Sequence, residues 1–370
     1  MSFIVPFVSP DLFFDQLTAD IQSASDRVWI QCMSFEGDGI GKKITQLLCE
    51  SSAKSKCFLI DSYTKVVHND RLLVVPAARF DAALMREQQQ TQTCISEMSA
   101  CGVDVQFTNP LGFMLHKYPL RNHKKLIIID NIVYIGGRNF CDHNFIWRDS
   151  MIRFDFGKEQ YEALRSFFVF DFDASRRGVT HVDHIRDQQV MAWSVAGASV
   201  SKPQYDDLLS FIGAATTTIT VFSPYISGPI MRALCHCARN HRIKVNVFIP
   251  IQNNKPIFQS YFSYIMATFP ITFVYVSGEM NHTKAMIIDE QSIILGSSNF
   301  DVVSYYLEDE IVVAVTDPTH VKNIQSELFS GLHEAESPRR ISRFKSVVVW
   351  YGFRVIEWLI QGYARLFKSA

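Results

Sequence analysis

Two stretches of the chain carry the same reactive side chains at the same spacing. The first is Asn122-His123-Lys124-Lys125-Leu126-Ile127-Ile128-Ile129-Asp130, continuing to Gly136-Gly137-Arg138-Asn139-Phe140. The second is Asn281-His282-Thr283-Lys284-Ala285-Met286-Ile287-Ile288-Asp289, continuing to Gly296-Ser297-Ser298-Asn299-Phe300. Both read His-x-Lys, four residues, Asp, an apolar run, then Gly-(Gly/Ser)-x-Asn, which makes the chain an internal repeat.

On an extended segment a histidine and the lysine two residues on point the same way. Such a pair suits a phosphate. Lysine supplies charge and donors, and imidazole supplies proton or nucleophilic chemistry near neutral pH. The asparagine after the glycine turn adds a neutral amide donor, and glycine lets the backbone approach closely. One copy alone would read as a solvated or structural pair. Two copies meeting across a domain interface bring His123, Lys125 and Asn139 to His282, Lys284 and Asn299, around one phosphate. That set can run phosphodiester chemistry without a metal. One imidazole attacks phosphorus and forms a phosphohistidine; the other protonates the leaving oxygen, then deprotonates the incoming alcohol or water. The lysines and asparagines stabilise charge on the non-bridging oxygens. Neither a metal nor a cofactor is expected.

The elements that must position these residues repeat as well. A helical pattern over 10–25, with Leu12, Phe13, Leu17 and Ile21 on one face, precedes a strand at 27–32, a helix at 42–49 and a strand at 57–61. The second half runs helix 206–215, strand 217–223, helix 229–240 and strand 244–250. Each half then reaches its His-x-Lys copy. The shared order predicts an α/β fold of two similar domains, each a mixed sheet flanked by helices, related by a pseudo-twofold axis. The boundaries are set at 1–190 and 203–335, with a connection around 175–201 and a separate tail over 339–370. The segment 63–94 departs from the scheme and reads as a surface helical insertion or as a lid facing the substrate.

The bulk numbers agree with two folded domains: 370 residues, 48% hydrophobic. A net charge of −1 gives no global attraction to nucleic acid. The eight cysteines sit mostly among apolar residues, and Cys235-His236-Cys237 falls in a helix-like run without a second pair at zinc-site spacing. Free thiols in a reducing compartment are expected, with no signal peptide and no transmembrane helix.

The two motifs resemble the defining His-x-Lys-x4-Asp pair of the phospholipase D superfamily. The resemblance covers the chain to about residue 330 and implies that His123, Lys125, Asn139, His282, Lys284 and Asn299 are catalytic, with His123 as nucleophile and His282 as acid/base. It also implies an acidic residue about ten positions after each motif asparagine that orients a histidine; Asp149 and Glu310 fit, the alternative being ordinary surface or hairpin charges. Asp130 and Asp289 lie at the far ends of their strands and are expected to be structural. The first copy has one residue fewer between its aspartate and glycine, which requires a tighter turn at Asp130-Asn131.

Within the superfamily, Phe35-Glu36-Gly37-Asp38-Gly39, Ser223-Pro224-Tyr225-Ile226 and Gly296-Ser297-Ser298-Asn299-Phe300-Asp301 resemble bacterial cardiolipin synthases, with Val303 and Glu308 departing from the pattern. This implies transfer of a phosphatidyl group from phosphatidylglycerol to a lipid hydroxyl. Phospholipase D hydrolysis, or a phosphodiesterase acting on nucleic acid, stand as alternatives. The tail combines Arg339, Arg340, Arg343 and Lys345 with Trp350, Phe353, Trp358, Leu359 and Leu366. It reads either as a basic amphipathic anchor on anionic lipid or as a helix packed on the domain. The expected location is cytoplasmic, peripheral on the inner face of the membrane.

Overall fold

A computed structural model describes residues 3–155, 158–173, 184–186, 190–197, 203–240, 242–336 and 342–367. The first half runs β1 (Phe3–Phe7), α1 (Pro10–Ser23), β2 (Arg27–Cys32), α2 (Gly39–Glu50), β3 (Ser55–Asp61), β4 (Val67–His68) and β5 (Arg71–Leu72). It continues through α3 (Ala82–Ala100), β6 (Asp104–Thr108), β7 (Leu126–Ile129), β8 (Ile132–Gly136), α4 (Asp142–Ile146), β9 (Met151–Asp155) and α5 (Lys158–Phe172). The second half runs β10 (His184–Arg186), β11 (Val190–Val195), α6 (Pro203–Gly213), β12 (Thr218–Phe222), α7 (Gly228–Arg239), β13 (Lys244–Pro250), α8 (Ile257–Thr268) and β14 (Ile271–Val276). It ends with β15 (Ala285–Ile288), β16 (Ser292–Gly296), α9 (Val302–Tyr306), β17 (Glu310–Val315), α10 (Pro318–Phe329), β18 (Glu334–Ala335) and α11 (Arg343–Leu366).

The repeat is visible strand by strand. One sheet has the order β1-β9-β8-β7-β2-β3-β6; the other contains β11-β17-β16-β15-β12-β13-β14, with β10 and β18 added at its edges. Both are mixed: β2, β3 and β6 are parallel, whereas β7, β8 and β9 are antiparallel. Alternation along the strands divides the side chains between two layers. Leu126, Ile128, Val133 and Ile135 share one buried cluster with Ala285, Ile287, Ile293 and Leu295, so the sheets face each other. Ile127 and Ile129 pack away from it, with Phe13 and Leu17 of α1; Met286 and Ile288 pack with the helices of the second half.

The turn after each motif strand absorbs the length difference between the copies. Ile129 pairs with Ile132, leaving a two-residue turn, and Ile288 pairs with Ser292, leaving three. Beside the motif lysines the registers coincide, Leu126 opposite Ile135 and Ala285 opposite Leu295. Asn139 and Asn299 therefore leave their strands at equivalent places. The turn aspartates adopt positive φ, 48° at Asp130 and 53° at Asp289, a conformation that short polar side chains tolerate. Their carboxylates accept the backbone N–H groups of Ser25, Asp26 and Arg27, and of Thr216, Thr217 and Thr218. Each thus tethers the start of the neighbouring strand. This is why α1 stops at Ser23 and not at Ser25, whose N–H and hydroxyl are engaged by Asp130. At the other helix, Asp38 accepts from Gly41 N–H and starts α2 three residues earlier than expected.

Several expectations change. The connection expected at 175–201 lies partly outside the described residues, but it supplies β10 and β11, and β11 pairs with β17. These strands extend the second sheet to a point before residue 190. Cys49 and Cys101 are not thiols: they form a disulfide with Cα atoms 5.4 Å apart, tying the end of α2 to the end of α3. The expected reducing compartment does not suit that pairing, and a bridge between residues 52 apart leaves no local spacing signal. Cys235 and Cys237 are buried thiols on α7. The tail residues Arg339 and Arg340 lie outside the described residues. The helix after them, α11, packs on the second half: Trp350 stacks on Tyr264, and Phe353 meets Phe258 and Tyr261. Its opposite face leaves Phe344, Val348, Tyr351, Val355, Trp358, Leu359 and Leu366 exposed. No helix among the described residues is long and apolar enough to cross a membrane.

Candidate active site

Each motif begins where its chain segment crosses to the other half. His123 N–H donates to Asp309 O at 2.8 Å, and Asp309 N–H returns to Arg121 O at 2.8 Å. In the second copy His282 N–H donates to Arg148 O at 2.7 Å, and Arg148 N–H to Met280 O at 3.0 Å. These bonds set each histidine beside the acidic residue of the opposite half. His123 Nδ1 lies 3.0 and 3.1 Å from the two carboxylate oxygens of Glu310. His282 Nδ1 lies 2.8 Å from Asp149 Oδ2. The sequence placed an orienting acid in each half; the structure pairs them crosswise.

The lysines differ. Lys125 Nζ donates to His123 O at 2.7 Å. Lys284 Nζ donates to His282 O at 2.5 Å, reaches Asp149 Oδ2 at 3.1 Å and lies 2.6 Å from His282 Nδ1. Both lysines are buried. Burial pushes both histidines below the usual imidazole range, and the lysine of the same motif adds to the shift, so both rings are held neutral. Burial and neighbouring cations also lower Lys125, to about 8. Although burial raises Asp149, Lys284 and His282 together carry it well below the usual carboxylate range. Glu310 has no direct lysine contact; burial outweighs Lys125 and the Ser297 hydroxyl and holds it above that range.

The asparagines sit at the same mouth. Asn139 Oδ1 accepts from Ser34 N–H at 3.1 Å, and its amide donates to Asn144 at 3.0 Å. Asn299 Oδ1 is buried without a hydrogen bond among the described residues. A cavity of about 440 Å³ is lined by both histidines and both asparagines, together with Met33, Tyr63, Trp147, Tyr225, Lys255 and Glu308. The Trp147 and Tyr225 rings lie 5.1 and 5.9 Å from His282, and Lys255 Nζ lies over Tyr225. Glu308, a departure from the resembled pattern, is part of that lining. It is buried, accepts from Ser304 Oγ at 3.0 Å and stands beside His123. From 63–94, Tyr63 and Asp70 reach the cavity, while α3 packs against α2. Tyr225 had a legible signal in the Ser-Pro-Tyr after a strand; Lys255 and Asp70 had none.

A family model described as "Cardiolipin synthase, PLD-like domain" matches residues 208–331. The chain is similar to the probable cardiolipin synthase YwiE of Bacillus subtilis, 25% identical over 97% of this chain and 69% of that protein. It is also similar to a cardiolipin synthase of Oceanobacillus iheyensis, 24% identical over 88% of this chain and 68% of that protein. By these measures the chain is similar to cardiolipin synthases and to their PLD-like domain. A phosphatidylserine synthase from Haemophilus influenzae has the same fold, with TM-score 0.67, 13% identity, and coverage of 97% of this chain and 94% of that one. A polyphosphate kinase from Porphyromonas gingivalis is more distant, with TM-score 0.56 and 11% identity, covering 97% of this chain and 56% of that one. The fold shared with the phosphatidylserine synthase includes both sheets, and the cavity lies where the two halves meet.

Proposed function

We propose that the chain is a phosphatidyltransferase of the cardiolipin synthase type, passing a phosphatidyl group from phosphatidylglycerol to the hydroxyl of a second lipid. One observation carries the reading: two imidazoles, one from each half, face a single cavity, each held through Nδ1 by an acid of the other half. His123, Lys125, Asn139, His282, Lys284 and Asn299 are the catalytic set, and Glu310 and Asp149 position the rings. The similarity to cardiolipin synthases supports the substrate class.

The contacts of the two rings support different roles. Among the described residues His123 Nδ1 meets carboxylate oxygens of Glu310 alone, so it donates its proton to Glu310 and Nε2 keeps the lone pair. His282 Nδ1 has an ammonium at 2.6 Å; in the Nε2–H tautomer it accepts from Lys284, which also donates to Asp149 and so links that acid to the ring. His123 Nε2 then attacks phosphorus. The bond to the glycerol oxygen breaks, and His282 gives its Nε2 proton to that oxygen while its Nδ1 takes a proton from the Lys284 ammonium, so the ring stays neutral. In the second step the hydroxyl of the acceptor lipid attacks the phosphohistidine, its proton passes to His282 Nε2 as Nδ1 returns one to Lys284, and the N–P bond breaks to restore neutral His123. Lys125, Lys284, Asn139 and Asn299 hold the non-bridging oxygens. Water in place of the acceptor would give hydrolysis.

Membrane contact is assigned to the outer face of α11. Phe344 and Trp358 are 80% and 70% exposed, on the same helix as Arg343, Lys345 and Arg365. The test of the reading is lipid mass spectrometry after incubation with phosphatidylglycerol vesicles. Wild type should form cardiolipin, and His123→Ala and His282→Ala should not. Unchanged phospholipids, with cleavage of single-stranded DNA instead, would sink it. On a denaturing gel His282→Asn should trap the phosphatidyl group covalently, whereas His123→Asn should not; the reverse pattern would exchange the roles.

A further inference from the structure

Behind the wall of the catalytic cavity lies a second group of titratable side chains that the reaction does not use. It centres on Glu36, in the segment between β2 and α2. Glu36 is 2% exposed, and its Oε1 accepts from Asn69 N–H at 2.8 Å. Its Oε2 is buried with no hydrogen bond among the described residues. The nearest cationic candidate, His143 Nδ1 on α4, stands 3.7 Å away, too far for a hydrogen bond. Ligand atoms of Glu36, Cys141 and His143 lie within 4.8 Å of one another, and so do those of Glu36, His68 and Glu87. Glu36 is common to both groups. Beside it is a cavity of about 530 Å³ lined by Glu36, Asp38, Glu87, Asp142 and His143, with Arg86 as its basic residue.

Two carboxylates this close, one of them buried with an unpartnered oxygen, need either a shared proton or a cation. The donors available beside them are imidazole nitrogens, carboxylate oxygens and a thiol. That mixture suits a borderline-soft divalent ion better than magnesium or calcium, which take oxygen ligands.

We propose that Glu36 anchors a binding site for one divalent transition-metal ion, zinc by ligand type, completed from His68, Glu87, Cys141 and His143. The ion is structural. His68 comes from β4 and Glu87 from α3, within the insertion, whereas Glu36 and His143 belong to the framework that carries Asn139 and Asn144. His143 also lines the catalytic cavity, with its ring 5.2 Å from Trp147. An ion here would therefore pin the insertion to the wall of the catalytic cavity without touching the reacting phosphate.

The test uses tag-free full-length protein stripped with a chelator. Zn²⁺ is titrated against a chromophoric competitor, and Co²⁺ is followed by its visible absorption. Wild type should bind one equivalent more than Glu36→Gln, a substitution that keeps the acceptor for Asn69, or bind it at least about tenfold more tightly. Zn²⁺ should raise the melting temperature of wild type and leave that of the variant unmoved. His68→Gln and Glu87→Gln should also weaken binding, and they decide the matter should Glu36→Gln not fold. Equal stoichiometry and affinity in wild type and these variants would overturn the site. Anything held by His123, Glu308 and Glu310 is common to all of them and cancels. None of these readouts depends on lipid turnover.

Discussion

At the scale of single residues, the proposed chemistry rests on imidazoles kept neutral by burial. Burial and Lys125 lower His123, so the neutral form that the proposed attack needs persists below the roughly 6.5 of a free histidine. The acid limb of kcat/KM should therefore fall below pH 6.5. Removing the Lys125 charge takes away one of the causes that hold the ring neutral, so Lys125→Met should move the acid limb to higher pH as well as slow turnover. A pH–rate series on phosphatidylglycerol vesicles checks this, and an unmoved or lower limb would contradict it. The positioning acids should differ as well. Asp149→Asn leaves Lys284 buried without its carboxylate, whereas Glu310→Gln leaves no lysine in that position. The first should destabilise the protein more, by about 3 kcal/mol against about 1, as read by urea unfolding.

The legibility of the sequence follows this scale. His123, His282, their lysines and their asparagines could be read because the chemistry needs those side chains at fixed spacing on a strand, and the repeat doubled the signal. The crosswise pairing of acid and histidine could not, since it depends on how the halves dock. Glu308 was hidden by a comparison of letters: an acid replaced an amide, and only burial beside His123 shows that it belongs to the site.

At the scale of elements, strands of β-branched residues and the helices between them were readable from periodicity to within a few residues. What periodicity misses is side-chain capping from a distance, as when Asp130 takes Ser25 out of α1. Asp289 accepts three backbone N–H groups and two threonine hydroxyls. Asp289→Ala should lower stability by about 1–3 kcal/mol without changing the spectrum of the folded state, measured by thermal melting. The Cys49–Cys101 bridge closes a loop of 52 residues, for which the chain-entropy model gives about 4 kcal/mol at most. Dithiothreitol should lower the melting temperature of wild type and not that of Cys49→Ser/Cys101→Ser. The two should then melt together.

At the scale of the molecule, α11 packs one face on the second half and leaves the other exposed, which is what the proposed membrane contact needs. One face is part of the second half, because Trp350 and Phe353 stack on α8 and Glu357 accepts from Arg232 at 2.7 Å. Deleting the helix would therefore expose core, so point changes are the cleaner probe. Trp358→Glu with Leu359→Glu should reduce binding to anionic vesicles several-fold while the melting temperature holds. Added salt should weaken wild-type binding, as expected if Arg343, Lys345 and Arg365 contribute. Unchanged vesicle binding would remove the helix from the membrane contact.

The crosswise acids also bear on ancestry. Glu310 serves His123 and Asp149 serves His282, so neither half carries a complete proton relay of its own. Before duplication, a single-copy protein with this geometry could have worked only as a pair of identical chains, each lending its acid to the other's histidine. The two copies now differ: among the described residues Lys284 lies beside His282 Nδ1, and no lysine does so at His123 Nδ1. Each half inherits a debt to the other, so drift at Asp149 or Glu310 disables a histidine more than 130 positions away in the chain.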